Sequence, residues 1–147
     1  MIFERTTIIN APLERVFDFF SRPENLVLLT PPALGFVIVE RPDGPLQSGS
    51  RIVYRIRVAG IPLKWVTNIV AFDPGRSFVD DQASGPYRKW VHTHTFTARG
   101  SSVEMGDRVE YELPFGIAGR LAGGWFVRRQ LRGIFAYRET KIREIFP

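Results

Sequence analysis

The chain has 147 residues, which suits a single domain spanning 1–147 that buries enough surface to fold without covalent crosslinks. It contains no cysteine, which excludes disulfides, thiolate metal sites and a cysteine nucleophile. The formal net charge is +5, but the arginines are scattered along the chain, which favours a solvated exterior over a nucleic-acid-binding surface. Charged residues interrupt the first residues, where a secretory signal needs an apolar run, so we expect a cytoplasmic protein.

The beginning of the sequence predicts one strand followed by two short helices. Residues 2–9 are typical of a strand, and Asn10 as N-cap with Pro12 in the first turn predicts the start of a helix. Pro23 breaks this helix before a second short helical segment that ends at Leu29.

Six further strands and one long helix are predicted in the rest of the chain. Turn residues separate strands at 34–40, 51–58, 63–72, 77–83, 88–97 and 102–113. From about Gly116 the apolar residues recur at helical spacing, at Ile117, Leu121, Gly124, Leu131, Phe135, Ile142 and Ile145. Antiparallel strands with segregated helices make an α+β domain, and a curved sheet around the long helix would cover its apolar stripe.

Both histidines of the chain lie on one predicted strand. In an extended strand Trp90, His92, His94 and Phe96 project to the same side. Imidazoles among aromatic side chains must find hydrogen bonds or water to offset their desolvation. This pattern favours a cavity on that face over a solid core.

Short turns fix the register of neighbouring strands and therefore predict rows of side chains across the sheet. A four-residue connection at 59–62 would place Ile56 opposite Trp65. The later turns predict three rows on one face: Ala71, Phe78, His94 and Met105; Ile69, Asp80, His92 and Asp107; Thr67, Gln82, Trp90 and Val109.

On this register His92 lies between Asp80 and Asp107, and three interpretations of the row are open. A histidine oriented by an aspartate is a general acid or base near neutral pH. His92 and His94 with a nearby carboxylate suit a divalent cation, but a zinc site needs at least three converging ligands, so we expect no metal and no cofactor. The favoured interpretation is a polar network that orients a ligand or satisfies its own groups.

Three stretches carry a resemblance to a known superfamily, namely INAPLERVFDFF at the first helix, DQASGPYRKWVHTHTF, and VEYELPFGIAGRL before the last helix. With the order of elements, they resemble the helix-grip fold of the START-related SRPBCC superfamily, and in particular its bacterial polyketide cyclase/dehydrase-like ligand-binding proteins. The resemblance covers essentially the whole chain. It implies a seven-stranded curved antiparallel sheet around a long C-terminal helix, with a cavity that binds lipids, polyketides or other apolar molecules. Some similar bacterial proteins occur beside or fused to epimerase-like domains, which implies an epimerase-like partner.

We therefore expect the cavity to bind a hydrophobic or amphipathic small molecule without transforming it. The alternative is a cyclase or dehydratase in which His92 works with Asp80 or Asp107 as an acid/base pair. The residues expected to contact the ligand are Tyr54, Ile56, Trp65, Thr67, Ile69, Phe78, Asp80, Gln82, Trp90, His92, His94, Met105, Asp107, Val109, Leu121, Trp125 and Arg128.

The segment 114–126 contains four glycines around the start of the long helix, which lowers the cost of opening it. We expect a mobile lip through which the ligand enters, with Trp125 and Phe126 contacting a membrane transiently; close helix-to-sheet packing is the alternative. Arg128 and Arg138 fall near the apolar stripe, and either one could pair with a buried aspartate, although long arginine side chains usually reach out to water. The chain is expected to be a monomer or a homodimer without a nucleic-acid partner.

Overall fold

The computed structural model describes residues 1–147 and contains seven strands and three α-helices. The strands are β1 (Ile2–Ile9), β2 (Val37–Glu40), β3 (Arg51–Val58), β4 (Ile61–Asp73), β5 (Ser77–Ser84), β6 (Lys89–Arg99) and β7 (Ser102–Glu112). The helices are α1 (Leu13–Phe20), α2 (Leu26–Leu29) and α3 (Gly116–Ile145), and single 3₁₀ turns at Pro23–Asn25 and Pro32–Leu34 flank α2. No helix of the chain combines the length and the apolar character that crossing a membrane requires.

All seven strands form one antiparallel sheet in the order β1-β7-β6-β5-β4-β3-β2. Each strand from β3 to β7 pairs with the strand before it in the chain, because turns or short loops join most of these neighbours. β1 pairs with β7, so β1 and β2 form the two edges. The predicted α+β helix-grip fold, with two short helices after the first strand, is confirmed.

Two apolar clusters hold the helices against the sheet. In the first, the Phe17 ring of α1 meets the Phe96 ring edge-on, with 5.1 Å between the ring centroids. In the second, α3 packs Val127, Leu131 and Phe135 against residues of β1 and β7. Burial of each such side chain contributes roughly 1.5–3 kcal/mol. The helices are therefore fixed at separate places on the sheet.

The predicted register between β3 and β4 is wrong. Val58 pairs with Ile61, so the connection has two residues instead of four. Ala59 and Gly60 form it with φ values of 51° and 79°, the combination of a type I′ turn, whose twist matches that of the strands. Every predicted pair shifts by two residues, which changes the partners but leaves each side chain on its predicted face.

The predicted register between β6 and β7 is also wrong by two residues. The turn lies at Gly100-Ser101, one residue later than the expected turn at Arg99-Gly100. His94 therefore lies opposite Asp107. The pairing of Asp80 with His92 across β5 and β6 is as predicted. All four side chains remain on one face, so the cluster that the sequence predicted is preserved with different direct neighbours.

A bulge in β4 changes one end of a predicted row. Between Ile69 and Ala71 the register with β5 shifts by one residue, so Ala71 pairs with Val79 instead of Phe78. Such an extra residue bends the strand and increases its twist, which helps a sheet to curve around a helix.

The predicted N-cap of α1 is wrong. The helix begins at Leu13, directly after Pro12, and no side chain caps it. The Asn10 side-chain amide lies two residues too early and donates instead to the Pro147 carbonyl oxygen, at 3.3 Å.

Helix α3 begins at Gly116, as predicted, but its first turns do not pack on the sheet. Ile117 is 75% exposed and Leu121 is 81% exposed. Fully buried positions begin at Val127 and end at Ile142. The first part of the predicted apolar stripe therefore faces water.

Candidate functional site

A cavity of about 300 Å³ lies between the sheet and α3. Strands β3 and β4 line it with every second residue, from Ile52 to Val58 and from Leu63 to Ile69, because alternate strand side chains share a face. Helix α3 supplies the facing wall, and the segment between α1 and β3 closes one side. Twenty of the 28 lining residues are hydrophobic, so water is a poor occupant for most of this space.

The structure brings most of the residues predicted to contact a ligand to this cavity. Those that line it are Tyr54, Ile56, Trp65, Thr67, Ile69, Phe78, Asp80, Trp90, His92 and His94. The remaining predicted residues lie outside its lining: Gln82, Met105, Asp107, Val109, Leu121, Trp125 and Arg128.

The seven displaced residues have identifiable environments. Met105, Asp107 and Val109 are on β7, buried beneath the helices instead of beside the cavity. The Gln82 side chain is engaged by Tyr87, whose backbone amide donates to Gln82 Oε1 at 3.2 Å and whose carbonyl oxygen accepts from Gln82 Nε2 at 2.7 Å. The three α3 residues, Leu121, Trp125 and Arg128, are exposed.

Much of the cavity wall was not named from the sequence. Its further members are Phe20, Leu26, Thr30, Leu34, Phe36, Leu46, Ile52, Val58, Leu63, Pro86, Tyr87, Phe126, Val127, Gln130, Leu131, Ile134, Phe135 and Arg138. Strand parity would have found Val58 and Leu63, and helical spacing would have found Ile134. The loop residues carry no such signal, since their approach depends on the tertiary path of the chain.

Aromatic rings form one end of the cavity. The Trp65 ring stacks on Tyr54, at 5.8 Å between centroids, and meets Trp90 edge-on at 5.2 Å. Trp65 is only 5% exposed, yet its Nε1 donor has no hydrogen-bond partner. A buried donor without a partner is costly, so an acceptor on a bound molecule would satisfy it.

A second polar feature is a buried cluster of two histidines, two aspartates and one arginine. His92 Nε2 lies 2.8 Å from Asp107 Oδ1, and His94 Nε2 lies 2.6 Å from Asp80 Oδ2. The two imidazole rings stack with 3.7 Å between their centroids. Arg138 approaches from α3, with a guanidinium nitrogen 3.7 Å from Asp107 Oδ1. His92, His94, Asp80 and Arg138 border the cavity, and Asp107 lies behind them.

Arg138 points inward, contrary to the favoured expectation that it reaches out to water. It is 9% exposed. Its guanidinium lies over the rings of Phe20, at 5.7 Å, and Phe135, at 5.2 Å. Asp107 together with these ring faces replaces part of the hydration that an inward arginine loses.

The environment shifts the pKa values of the two carboxyl groups downward. Burial alone would raise the pKa of Asp107, but the Arg138 charge, the hydrogen bond with His92 and the nearby His94 imidazole hold it well below its usual range. Burial would likewise raise the pKa of Asp80, but the hydrogen bond with His94 and the nearby positive charges lower it. Both carboxyl groups are therefore ionised at neutral pH.

The two imidazoles respond in opposite directions. Burial and the neighbouring His94 lower the pKa of His92 despite its bond to Asp107. Burial also opposes charging of His94, but the Asp107 carboxylate, 3.4 Å from its Nδ1, and the hydrogen bond with Asp80 raise its pKa above the usual value. His94 therefore takes up a proton more readily than His92, and an imidazolium there together with the Arg138 guanidinium would balance the two carboxylates.

Three ligand atoms of Asp80, His92 and His94 lie within 4.8 Å of one another, a spacing that a divalent cation could bridge. Asp80 thus supplies the third ligand atom beside the two histidines, which the sequence had left open. However, a cation would have to displace the His94–Asp80 bond and would add positive charge near Arg138. One position of the cluster stays open, because His94 Nδ1 is buried without a hydrogen-bond partner. The arrangement is that of a proton-holding polar network.

An apolar cavity between a curved antiparallel sheet and a long C-terminal helix, with a polar network in its wall, defines a helix-grip protein with a site of small-molecule size. A sequence profile described as polyketide cyclase / dehydrase and lipid transport matches residues 1–142, and the chain belongs to this family. The resemblance to the SRPBCC superfamily is confirmed.

Solved structures share this fold across almost the whole chain. A protein of Thermus thermophilus has 18% identity and a TM-score of 0.71, with 100% of both chains covered. A nucleoside-diphosphate sugar epimerase of Corynebacterium glutamicum has 25% identity and a TM-score of 0.73, covering 97% of this chain and 28% of that one. A major latex-like protein of Panax ginseng has 14% identity and a TM-score of 0.66, covering 99% and 97% of the two chains. No curated relative matches by sequence.

Proposed function

We propose that the protein binds a hydrophobic or amphipathic small molecule in the cavity between the sheet and α3, and does not transform it. The observation that carries the proposal is a largely apolar space of about 300 Å³ with polar groups confined to part of its wall. Each Å² of apolar ligand surface removed from water there contributes about 25 cal/mol. A lipid-transport role agrees with the description of the family. The absence of cysteine agrees with a cytoplasmic site of action, which is part of the proposal.

The two polar features suggest how such a molecule is oriented. A polar group of the ligand would contact the network at His92 and Asp80, which border the cavity. An acceptor elsewhere on the ligand would receive the unpartnered Trp65 Nε1 hydrogen. The apolar body would then lie along the aromatic rings and the residues of α3. An entirely apolar hydrocarbon would satisfy neither polar feature.

Native mass spectrometry of the purified protein tests the proposal. Any compound that co-purifies is then extracted and identified. We expect a bound species at one equivalent, released by organic solvent, whose removal lowers the melting temperature. Added fatty acid and anilinonaphthalene sulfonate serve as probes if the protein is purified empty. If the emptied protein binds none of these probes saturably, the proposal is refuted.

A second candidate is a cyclase or dehydratase, and one contact favours it. His92 bonds to Asp107 at 2.8 Å while bordering the cavity, which is the arrangement of an oriented general base. Replacing His92 with Gln discriminates the two roles. A carrier should keep its affinity for the co-purified compound within about tenfold, or ~1.4 kcal/mol. A catalyst would lose turnover of that compound by about 10²-fold or more.

A further inference from the structure

The beginning of α3 carries an exposed apolar surface, here called the helix tip, made of Phe115, Ile117, Leu121 and Trp125. Their exposed fractions are 86%, 75%, 81% and 72%. Contiguous apolar surface on this scale is uncommon on a monomer and marks a site of interaction. The helix tip is therefore a surface whose partner is absent from the isolated chain.

Arginines continue the same side of the helix immediately after the helix tip. Arg128, Arg129 and Arg132, here called the arginine collar, follow Trp125 at spacings of three, four and seven residues, which keep a helical face. All three are exposed. No aspartate or glutamate occurs from residue 113 to residue 138, so no acidic side chain of the helix neutralises the collar.

The dimensions of this arrangement match a membrane interface. A helix rises about 1.5 Å per residue, so Leu121 and Arg132 are separated by about 16 Å along the axis and Trp125 and Arg129 by about 6 Å. Apolar faces of interfacial helices sink about 5–10 Å into the boundary between headgroups and acyl chains. The Arg129 guanidinium lies over the Trp125 ring at 5.5 Å, a pairing suited to headgroup depth.

We propose that the helix tip and the arginine collar dock the protein onto an anionic lipid bilayer, with the tip among the acyl chains and the collar on the phosphates. Arginine suits this contact because its planar fork binds two phosphate oxygens at once. The inference rests on the proposed ligand-binding function. Phe126 connects the helix tip with the cavity. It lines the cavity and is also 46% exposed, directly after the helix tip. Docking places Phe126, and with it this part of the cavity wall, at the bilayer, from which an amphipathic ligand enters.

A second copy of the chain is a weaker occupant of the same surface. In a two-fold dimer the patch meets itself, and residues 113–138 of the second copy offer no acidic side chain to pair with the arginine collar. Positive charges without counter-charges at an interface oppose association. An anionic bilayer complements both the apolar tip and the collar.

Co-sedimentation with vesicles tests the proposal on the full chain. We expect binding to phosphatidylcholine vesicles that contain phosphatidylglycerol, weak binding to phosphatidylcholine alone, and weaker binding at high salt. The variant R128E/R129E should partition at least about tenfold more weakly into the anionic vesicles. The variant L121E/W125E should lose binding to both vesicle types.

Matched controls alter other exposed residues of the same kinds. R55E/R76E changes the net charge equally, and I61E/V70E removes exposed apolar side chains from the sheet. Both should bind vesicles like the unaltered protein. Equal partitioning of R128E/R129E and its control, or a dimer that L121E/W125E dissociates, would overturn the proposal. Saturable anilinonaphthalene sulfonate binding that L121E/W125E retains without vesicles reports on the cavity and not on the helix tip. Such binding in a protein that does not bind vesicles would reject the docking alone.

Discussion

Asp107 joins the sheet to α3 at the level of single residues. Its carboxylate accepts from His92 and faces the Arg138 guanidinium at 3.7 Å, while only 4% of the residue is exposed. The other carboxylate of the cluster, Asp80, lies farther from His92, at 3.9 Å from its Nδ1, and is already bonded to His94 at 2.6 Å. The stability of the buried network therefore depends on this one side chain more than on any exposed ion pair.

Replacing Asp107 with Asn should lower the free energy of unfolding by about 3–5 kcal/mol, because it leaves the Arg138 charge buried without its counter-charge. Urea unfolding measures the change. Asp43→Asn, at an exposed loop position, is the control and should shift stability by less than about 0.5 kcal/mol. A loss of stability no larger than that of the control would show that the ion pair is not a structural link.

The sequence predicted much of this network because strand alternation fixes the face of each residue. His92, His94, Asp80 and Asp107 share a face in the predicted and in the observed register, because the β6–β7 pairing differs by two residues. Arg138 could not be placed in the same way. Its orientation depends on the aromatic rings of Phe20 and Phe135, which reach it from different parts of the chain.

The glycines of α3 have different surroundings along the helix, so they differ in how well they would tolerate a side chain. A Cβ on Gly119 would lie 1.8 Å from the Pro114 carbonyl oxygen, so this position needs glycine for close backbone approach. A Cβ on Gly133 meets nothing within 4 Å, and the position is exposed. The close approach at Gly119 is to the turn that precedes the helix, and is therefore not the helix-to-sheet packing considered as the alternative.

Alanine at these two positions should have opposite effects. Gly133→Ala should raise the free energy of unfolding by about 0.5–1 kcal/mol, through better helix propensity and a less flexible unfolded chain. Gly119→Ala should lower it by about 1–3 kcal/mol, because backbone must move to relieve the clash. Thermal and urea unfolding of both variants measure the pair. Equal effects of the two substitutions would contradict the different backbone environments.

Hydrogen exchange along α3 should divide the helix into two parts. Residues 116–124 make few buried contacts, whereas Val127, Leu131 and Phe135 pack on the sheet and Glu139 bonds to Arg5 on β1. We expect rapid amide exchange in the first part and strong protection from 127 to 142. Strong protection across 116–124 in the isolated chain would rule out a mobile lip there.

Turn lengths were the part of the element pattern that the sequence could not determine. The β3–β4 turn contains Ala59 at φ 51°, a conformation that alanine seldom adopts, so nothing in its identity indicates a two-residue turn. Tertiary pairing of the long strands imposes this geometry. The β6–β7 register shifted for a related reason, because the turn expected at Arg99-Gly100 lies one residue later, at Gly100-Ser101.

At the scale of the whole molecule, the polar row on an aromatic face correctly pointed to a space above the sheet. The size and walls of that space could not be predicted from the strands. They depend on where α3 crosses the sheet and on how the chain between α1 and β3 folds back over it. Those contacts join residues far apart in sequence and carry no periodic pattern.

The charge balance of the network makes the stability of the whole fold depend on pH. The pKa of His94 is raised above 6.5 in the folded protein. Protonated His94 therefore contributes fully to the free energy of unfolding below pH 6.5, and this contribution is lost as pH rises through the folded-state pKa. The pKa of His92 is lowered below 6.5 in the folded protein. The free energy of unfolding therefore decreases as pH falls from 6.5 towards the folded-state pKa of His92. Between about pH 5 and 9 we expect the free energy of unfolding to peak near the usual histidine pKa.

Urea unfolding across this pH range checks the prediction in the protein and two variants. His94→Gln should remove the decline on the alkaline side, and His92→Gln should remove the decline on the acidic side. A profile that keeps both declines in both variants would assign the pH dependence to other groups.

The most direct test of the account is ligand titration of a variant in which the cavity is filled. Ile134 lines the cavity from α3, and Ala136 lies on the exposed side of the same helix. The account predicts that Ile134→Trp weakens saturable binding of anilinonaphthalene sulfonate by about tenfold or more, ~1.4 kcal/mol, while Ala136→Trp leaves it unchanged. Equal binding by both folded variants, or none by the unaltered protein, would contradict it.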